Sequence, residues 1–464
     1  MYSDKDSEFS DEISFNNQIL KVSLISGKIH IDNNWTAAKS AGICKGEGNY
    51  SEPYIIEDLI IDGGASGSCI LIENSNVFFR VENCTLYNSG YFPNAGIKLN
   101  NITNAQLINN DCSSNYIGIY LYNSENNKVS ENSVDSNAEN GINLYFSDKN
   151  IISGNYVSDN LHGIYLYNSN SNNISGNTAN NNRIYGINLS FSNNNTVSGN
   201  VANDNLYGIA FSSNRDNTIS GNLANYNQIY GIYLYKSNYN TVSGNNANNN
   251  DDSGLYFYES FYFNVSENIA NNNDHTGIYL WDCAVIIILK NNASSNIYNG
   301  ISLEYCGYIN IIENDANNNG DGIELLNSVF NNIIGNNVSN NNNGVYLKYS
   351  DNNTISSNNL ILNDRCWREI DCLNNIFVNN ICRNREIMAY PHFNVQGILM
   401  IFGFILAVIG FGLIIRYYNY RKKRILKPIL SQRVNESTKS CPECGTPITQ
   451  KEDLFCTNCG QNLK

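Results

Sequence analysis

Along most of this chain, apolar and polar residues alternate with a period of two in short runs, as in Ile232-Tyr233-Leu234-Tyr235 and Thr241-Val242-Ser243. Clusters of Asn, Ser and Gly separate the runs, and stretches with the period of a helix are absent among them. The pattern predicts short β-strands joined by tight turns. The runs also recur. A G-[ILV]-x-[LF] block begins at Gly96, Gly118, Gly141, Gly163, Gly186, Gly208, Gly231, Gly254, Gly277, Gly300, Gly322 and Gly344, in steps of 22 or 23 residues. Fourteen residues after each Gly stands an Asn, from Asn110 to Asn358, and five further on stands a second, from Asn115 to Asn363. A Ser usually falls six after the Gly, with Cys283 and Cys306 in its place in two neighbouring copies.

A single copy cannot bury its own apolar face, whereas stacked copies share one continuous core. The expected fold is therefore all-β, a right-handed parallel β-helix solenoid with one coil per copy. Twelve coils at the inter-strand spacing make a rod about 58 Å long. The two gap-free Asn columns fit inward corners, where each amide donates to the carbonyl of the same residue one coil along. A rung of that kind contributes about 1 kcal/mol net, while an orphaned buried amide costs about 1–3 kcal/mol. Residues one and three after each Gly are expected inside, residues two and four outside. Length varies only between the second Asn and the next Gly, which marks that corner as the tolerant turn. Between Asn88 and Gly96 it grows into a loop with Tyr91, Phe92 and Pro93.

The segments N-T-V-S-G-N at Asn195 to Asn200 and N-T-I-S-G-N at Asn217 to Asn222 repeat one motif. Upstream, Gly46-Glu47-Gly48-Asn49 runs through Pro53-Tyr54-Ile55-Ile56 to Ile60-Ile61-Asp62-Gly63. On these residues the chain, over about 45–385, resembles the NosD-type β-helix repeat proteins and, more widely, the carbohydrate-binding and sugar-hydrolysing β-helices. The resemblance implies the fold strongly and the activity weakly, because the shared residues are structural. The copper chemistry of that family does not follow, since a chain with 4 His and 3 Met is short of imidazole and thioether ligands.

Charge and hydropathy divide the rest. The formal net charge is −14, and the acidic excess lies ahead of Arg416, so no nucleic-acid partner is expected for this part. Residues 395–415 carry no charge over 21 positions, long enough for a single transmembrane helix. The basic stretch after it, with Arg416, Arg421, Lys422, Lys423, Arg424 and Lys427, places the C-terminal side in the cytoplasm. Beyond the basic linker of 416–440, Cys441, Cys444, Cys456 and Cys459 form two C-x-x-C pairs. They look like a zinc ribbon over 441–464, with iron in a rubredoxin-like site as the other metal and two redox pairs as the non-metal reading. So short a module cannot fold without its metal, which suggests docking to a cytosolic partner rather than catalysis. The expected organisation is a cap over 1–44, the β-helix outside the cell over 45–385, and then the span and the cytosolic ribbon. An exported rod needs a signal segment, and residues 1–28 lack a basic start followed by an apolar run, so either the true start lies upstream, which the cysteine pairs and the inward basic flank favour, or the rod is cytoplasmic.

Two groups of residues offer chemistry. Tyr233, Tyr235, Tyr256, Tyr258, Tyr279 and Trp281 fall at the outward positions of three successive coils and form an aromatic face suited to stacking on sugar rings. Cross-strand stacking that merely stabilises the strands explains the same residues. Asp251, Asp252, Asp274 and His275 occupy the tolerant turn of two of these coils, and Glu304 and Glu324 follow on the same face. Paired carboxylates suit hydrolysis and acidic turns suit calcium, but turn Asp residues are mostly solvated caps. The leading expectation is a non-enzymatic binding or scaffolding rod for glycan, with a polysaccharide lyase or glycoside hydrolase as the alternative. Among the cysteines, Cys366, Cys372 and Cys382 cluster where the coils end, as a candidate disulfide clamp. Cys283 and Cys306 are expected to be small buried residues standing in for Ser.

Overall fold

In the first complete coil the chain runs from Ile29–Asp32 past a short helix to Tyr54–Glu57 and Leu59–Asp62, then rises into the next coil at Ile70–Ser75. The computed structural model describes residues 23–385. The sequence-derived span at 395–415, the basic linker and the four ribbon cysteines lie outside these residues. Among the described residues, no helix is long and apolar enough to cross a membrane.

The strands stack into two parallel sheets of fifteen strands each. Twelve strands of the first sheet belong to the regular copies. Two precede them, Ile29–Asp32 and Ile70–Ser75, and Arg365–Ile370 follows. Fifteen strands at the same spacing give a rod of about 72 Å, longer than the regular repeats alone predict. The third side of each coil is mostly a single bridged residue, such as Thr178 to Val201, and widens into three-stranded sheets only at the two ends. Pairing is in register throughout the repeats. Ile209 faces Ile232, which faces Leu255, which faces Ile278, and all four are fully buried. The all-β, right-handed parallel β-helix expected from the repeat is the fold found.

Register follows from the corners. Asn177 donates both its backbone N–H and its Nδ2 to Oδ1 of Asn200, at 2.9 and 3.0 Å, and its Nδ2 also reaches the carbonyl of Ile152 in the coil before. The second column behaves alike, with Asn160 donating to Asn182 at 3.0 and 3.2 Å. Each amide thus satisfies turn backbone in a dry interior on two sides. A third ladder, nine residues after the Gly, escapes notice in the sequence because four copies lack it, the first of them with Ala105 in its place. It runs from Asn127 to Asn240, gives way to Phe263, Ile286 and Ile309, and resumes at Asn331. The Ser column is a fourth, lighter ladder, in which Ser147 Oγ accepts from the N–H of Ser124. The repeat Gly is needed for space. A Cβ at Gly254 would meet the carbonyl of Ala247 at 2.6 Å and Nδ2 of Asn273 at 2.8 Å.

The ends are closed differently. At the first coil, Trp35 of the helix Trp35–Ser40 plugs the core, stacked on Tyr54 at 4.9 Å with Nε1 donating to Ser75 Oγ. At the last, Cys366 and Cys382 are joined by a disulfide, while Cys372 is free. Cys283 and Cys306 are buried and unbridged, and each Sγ lies against a carbonyl of the preceding coil, as a Ser hydroxyl would. Burial also raises the Cys84 thiol to about 11, so that side chain is inert core.

Replacing Asn200 by Ala strips the acceptor from two donors of Asn177 and the donor from the carbonyl of Ile174. A loss of about 1–3 kcal/mol per orphaned group is expected, read as a lower denaturant midpoint with hydrogen exchange accelerated first around residues 174–200. Reducing the Cys366–Cys382 bond, which closes a loop of 16 residues, is expected to loosen the last coil by about 3 kcal/mol. Proteolysis at Arg383 and Arg385 with and without reductant measures it.

Candidate functional site

The outer face of the first sheet inherits the register of the core, so side chains at equal positions in successive coils stand one above another. Where those positions carry rings, the rings stack. Tyr233, Tyr256 and Tyr279 follow at 5.5 and 5.0 Å between centroids, and beside them Tyr235, Tyr258 and Trp281 follow at 5.3 and 5.2 Å. The six sequence-derived residues are therefore brought together as two columns over three coils. They are not a flat exposed sheet of rings. Tyr256 is only 6% exposed, because Tyr230, Tyr233 and Tyr279 enclose it, and burial holds its hydroxyl well above the usual phenol range. The accessible surface is that of the outer column, where Trp281 is 38% exposed, together with ring edges of the inner one. Lys236 Nζ lies 5.0 Å over Tyr235 and 3.3 Å from Glu259, which adds one screened charge pair at the rim.

Sequence reasoning missed a further aromatic column. His162, Tyr185, Tyr207 and Tyr230 each immediately precede a repeat Gly, and successive rings stand 5.2, 5.2 and 5.8 Å apart. Asn188 and Ala210, small residues that interrupt the Tyr column, are buried, and Tyr207 meets Tyr233 of that column at 5.9 Å. The available signal was the recurring ring ahead of the Gly in four consecutive copies. Burial pushes His162 down to about 4, so it stays neutral at ordinary pH. The long loop at Tyr91 and Phe92 lies over the start of the face, with Phe92 6.3 Å from Tyr120, which is thereby buried.

Carboxylates mark the other end. Tyr279 donates its hydroxyl to Glu304 at 2.5 Å. Glu324 accepts from Ser302 Oγ at 2.9 Å and Asn299 Nδ2 at 2.6 Å, and Asp321 accepts from Asn343 Nδ2 at 2.7 Å. Burial raises both Glu324 and Asp321 above the ordinary carboxylate values in spite of those bonds. The turn residues form a looser group. His275 Nδ1 lies 3.9 Å from Asp252 and 3.0 Å from Thr276 Oγ1, its ring packs on Tyr298 at 4.7 Å, and Asp251 is raised by partial burial and by Asp274. Asp251 and Asp274 are exposed at the rim of the array.

Two stretches, residues 137–282 and 261–394, match the family described as periplasmic copper-binding protein (NosD), together more than half of the sequence. The chain belongs to the NosD family. A right-handed β-helix region matches over residues 40–202 and a zinc-ribbon domain over 437–463. Copper, which the family's description implies, finds no donor set among the described residues of this NosD relative. No group of three His, Cys, Asp or Glu side chains is placed to hold a metal ion, His30, His162 and His275 stand in separate coils, and no Met is described. No curated protein matches the chain. Among solved structures, the periplasmic alginate epimerase AlgG is 14% identical, covering 76% of this chain and 84% of its own, with a TM-score of 0.42. The A-module of the Azotobacter vinelandii mannuronan C-5 epimerase AlgE4 is 13% identical over 77% and 97%, at 0.43, and the Dettilon tailspike protein is 15% identical over 69% and 62%, at 0.42. These likenesses concern the β-helix fold alone.

The raised carboxylates have a pH consequence. Folded Glu324 keeps its proton to higher pH than the unfolded chain, whose value is near 4.5, so the native state binds more protons in that window. Stability is therefore expected to fall as pH rises from 4.5 through the raised native value, and Glu324→Gln to flatten the slope. Thermal unfolding against pH, comparing wild type with the variant, reads this directly.

Proposed function

We propose that this NosD-family chain is a surface rod that binds glycan without turning it over, held at the membrane by residues 395–415, with a cytosolic zinc ribbon as a docking module. The observation that carries the binding reading is the two-by-three array of Tyr233, Tyr235, Tyr256, Tyr258, Tyr279 and Trp281. Sugar rings offer C–H faces to aromatic surfaces and hydroxyls to phenols and amides. This array supplies the first through its outer column and the second through the edges of its inner one. The periplasmic description of the family and the Cys366–Cys382 disulfide both support a rod outside the cytosol, since such bonds persist in oxidising compartments. The uncharged stretch and the basic flank after it support the anchor.

Four thiolates in two C-x-x-C pairs match a tetrahedral structural zinc site, and Cys441, Cys444, Cys456 and Cys459 would hold the ion. Zinc there supplies folding energy to the short module. The polar end of the array favours a second reading, hydrolysis or lyase chemistry. Glu324, raised by burial, shares one face with Glu304, which is tied to Tyr279, and acid–base work uses carboxyls of unequal environment.

The purified full chain on a glycan array, with reducing-end and unsaturated-product assays on every hit, tests the proposal. Binding without product is expected, with loss of binding in Tyr235→Ala/Tyr258→Ala. Product formation that vanishes in Glu324→Gln establishes the enzyme instead. Elemental analysis of the full chain is expected to give one zinc per molecule, lost in Cys456→Ser.

A further inference from the structure

The corner between the first and second sheets departs from the repeat in three ways at the same place. First, the amide ladder nine residues after the Gly is replaced by Phe263, Ile286 and Ile309, all buried. Second, the second-sheet strand lengthens from three residues, as in Thr241–Ser243, to six in Phe261–Ser266 and Ala284–Leu289, so pairing continues round the corner. Third, the left-handed residue eight after the Gly changes character. In the other seven copies it is Asn104, Asn126, Lys149, Ser171, Asn194, Asp216 or Asn352, types that suit positive φ or solvent. In five consecutive coils it is Tyr239, Tyr262, Val285, Tyr308 and Phe330, at φ of 56, 57, 59, 58 and 57°. Single aromatic residues such as Phe146 occupy left-handed corners elsewhere. Val285, however, is the only β-branched residue at positive φ among the described residues, and that conformation is a steric outlier for its type.

All five side chains are exposed, from 44% for Val285 to 61% for Tyr308. Neither burial nor backbone preference accounts for them. Strained positions that persist without a local gain cluster at functional sites. Their arrangement is specific. Tyr239 and Tyr262 are stacked at 5.2 Å and 5°, and Tyr308 and Phe330 at 5.4 Å and 13°. Val285 separates the two pairs by one rung, so Tyr262 and Tyr308 face each other across two coil spacings, about 10 Å. A ring placed over Val285 would lie about 5 Å from each, the spacing the stacked rings themselves adopt. The cavity there has a volume of about 520 Å³ and extends along the corner past Ile287. Asn264 and Asn310, on the outer face of the second sheet, flank it.

We infer that this gap is a binding subsite for one neutral sugar ring, held between Tyr262 and Tyr308 over Val285 and Ile287, and separate from the aromatic array on the first sheet. The lining decides the ligand class. Two aromatic faces and an aliphatic floor take the C–H faces of a saturated ring, and the Asn264 and Asn310 amides take hydroxyls at its rim. Asp216 is the only carboxylate or ammonium-type group lining the cavity, and it already pairs with Arg215 at 2.7 Å. Arg215, whose guanidinium lies 5.4 Å over Tyr239 at one end, is thereby paired, and no cation lines the gap between Tyr262 and Tyr308, so the lining favours a neutral ring over a uronate or a phosphate.

The test uses the full chain, nitrated with tetranitromethane in the presence or absence of cellohexaose, mannohexaose, maltohexaose or hexagalacturonate, with modified tyrosines located by mass spectrometry. At least one neutral hexasaccharide is expected to shield Tyr262 and Tyr308, while hexagalacturonate shields neither. Tyr349, comparably exposed at another corner, is expected to react equally in every sample. Val285→Tyr fills the gap with a ring that the neighbouring coils already tolerate at this φ, and is expected to abolish the shielding with melting temperature maintained. Tyr235→Ala/Tyr258→Ala, which disables the first-sheet array, is expected to leave the shielding intact, so the two sites fail separately. Shielding by hexagalacturonate alone, none by any neutral hexasaccharide, or shielding that survives Val285→Tyr overturns the inference. So does light scattering in which wild type self-associates and Val285→Tyr does not, which would make the corner an interface between copies.

Discussion

A chain that turns inward at three corners per coil must find partners for turn backbone that water cannot reach, and the side-chain amide of Asn is the group that meets the need. It accepts from the backbone of one coil and donates to that of another, so a single residue type, repeated at the same place, closes the account for the whole stack. In the Asn177–Asn200 step one Oδ1 takes two donors while Nδ2 of the same amide returns to the carbonyl of Ile174. This requirement sets the distance between corners, hence the 22- or 23-residue period, hence the register. With register set, the core columns of Ile, Leu and Val follow, and the repeat Gly is confined to the place where a neighbouring amide leaves no room for a Cβ.

Because register is decided inside, the outside is free to vary, and whatever it carries appears as columns. Aromatic residues at equal positions stack automatically at coil spacing, which is why the first-sheet face reads as ladders of rings rather than scattered tyrosines. Where the column lapses at Asn188 and Ala210, both are buried, and the neighbouring column meets it again at Tyr207 and Tyr233. At Glu304, Asp321 and Glu324 the aromatic surface gives way to hydrogen-bonded carboxyls, so one face presents an apolar stretch and an acidic end. The corner ladder shows the same freedom from the other side. Phe263, Ile286 and Ile309 replace amides with apolar packing, and the sheet closes over the loss by extending its own hydrogen bonds around the bend.

A stack of identical units has no natural end, and each end of this one is closed by something the repeat does not contain. An indole fills the first coil, and a disulfide ties the last. Both lie beyond the twelve regular copies, in segments whose strands pair with the stack although their sequences depart from its motif.

Much of the fold was legible before any coordinates, because the Gly and the two Asn columns recur without a gap and a period of 22 or 23 admits few architectures. The inward and outward assignment of Ile232, Tyr233, Leu234 and Tyr235, and the burial of Cys283 and Cys306, followed from alternation and position. The third Asn column was hidden by its interruption, since spacing reveals only what is repeated. The pairing of Cys366 with Cys382 rather than Cys372 needed the distance between them. Which residues are at hand for a ligand was decided by the tertiary structure. Tyr256 is enclosed and Trp281 is not, His162 to Tyr230 form a column, and Val285 opens a gap between two ring pairs. Composition and spacing state which side chains share a face. How far each leans, and which backbone angle it is forced to take, depends on neighbours one coil away, some twenty residues distant in the chain.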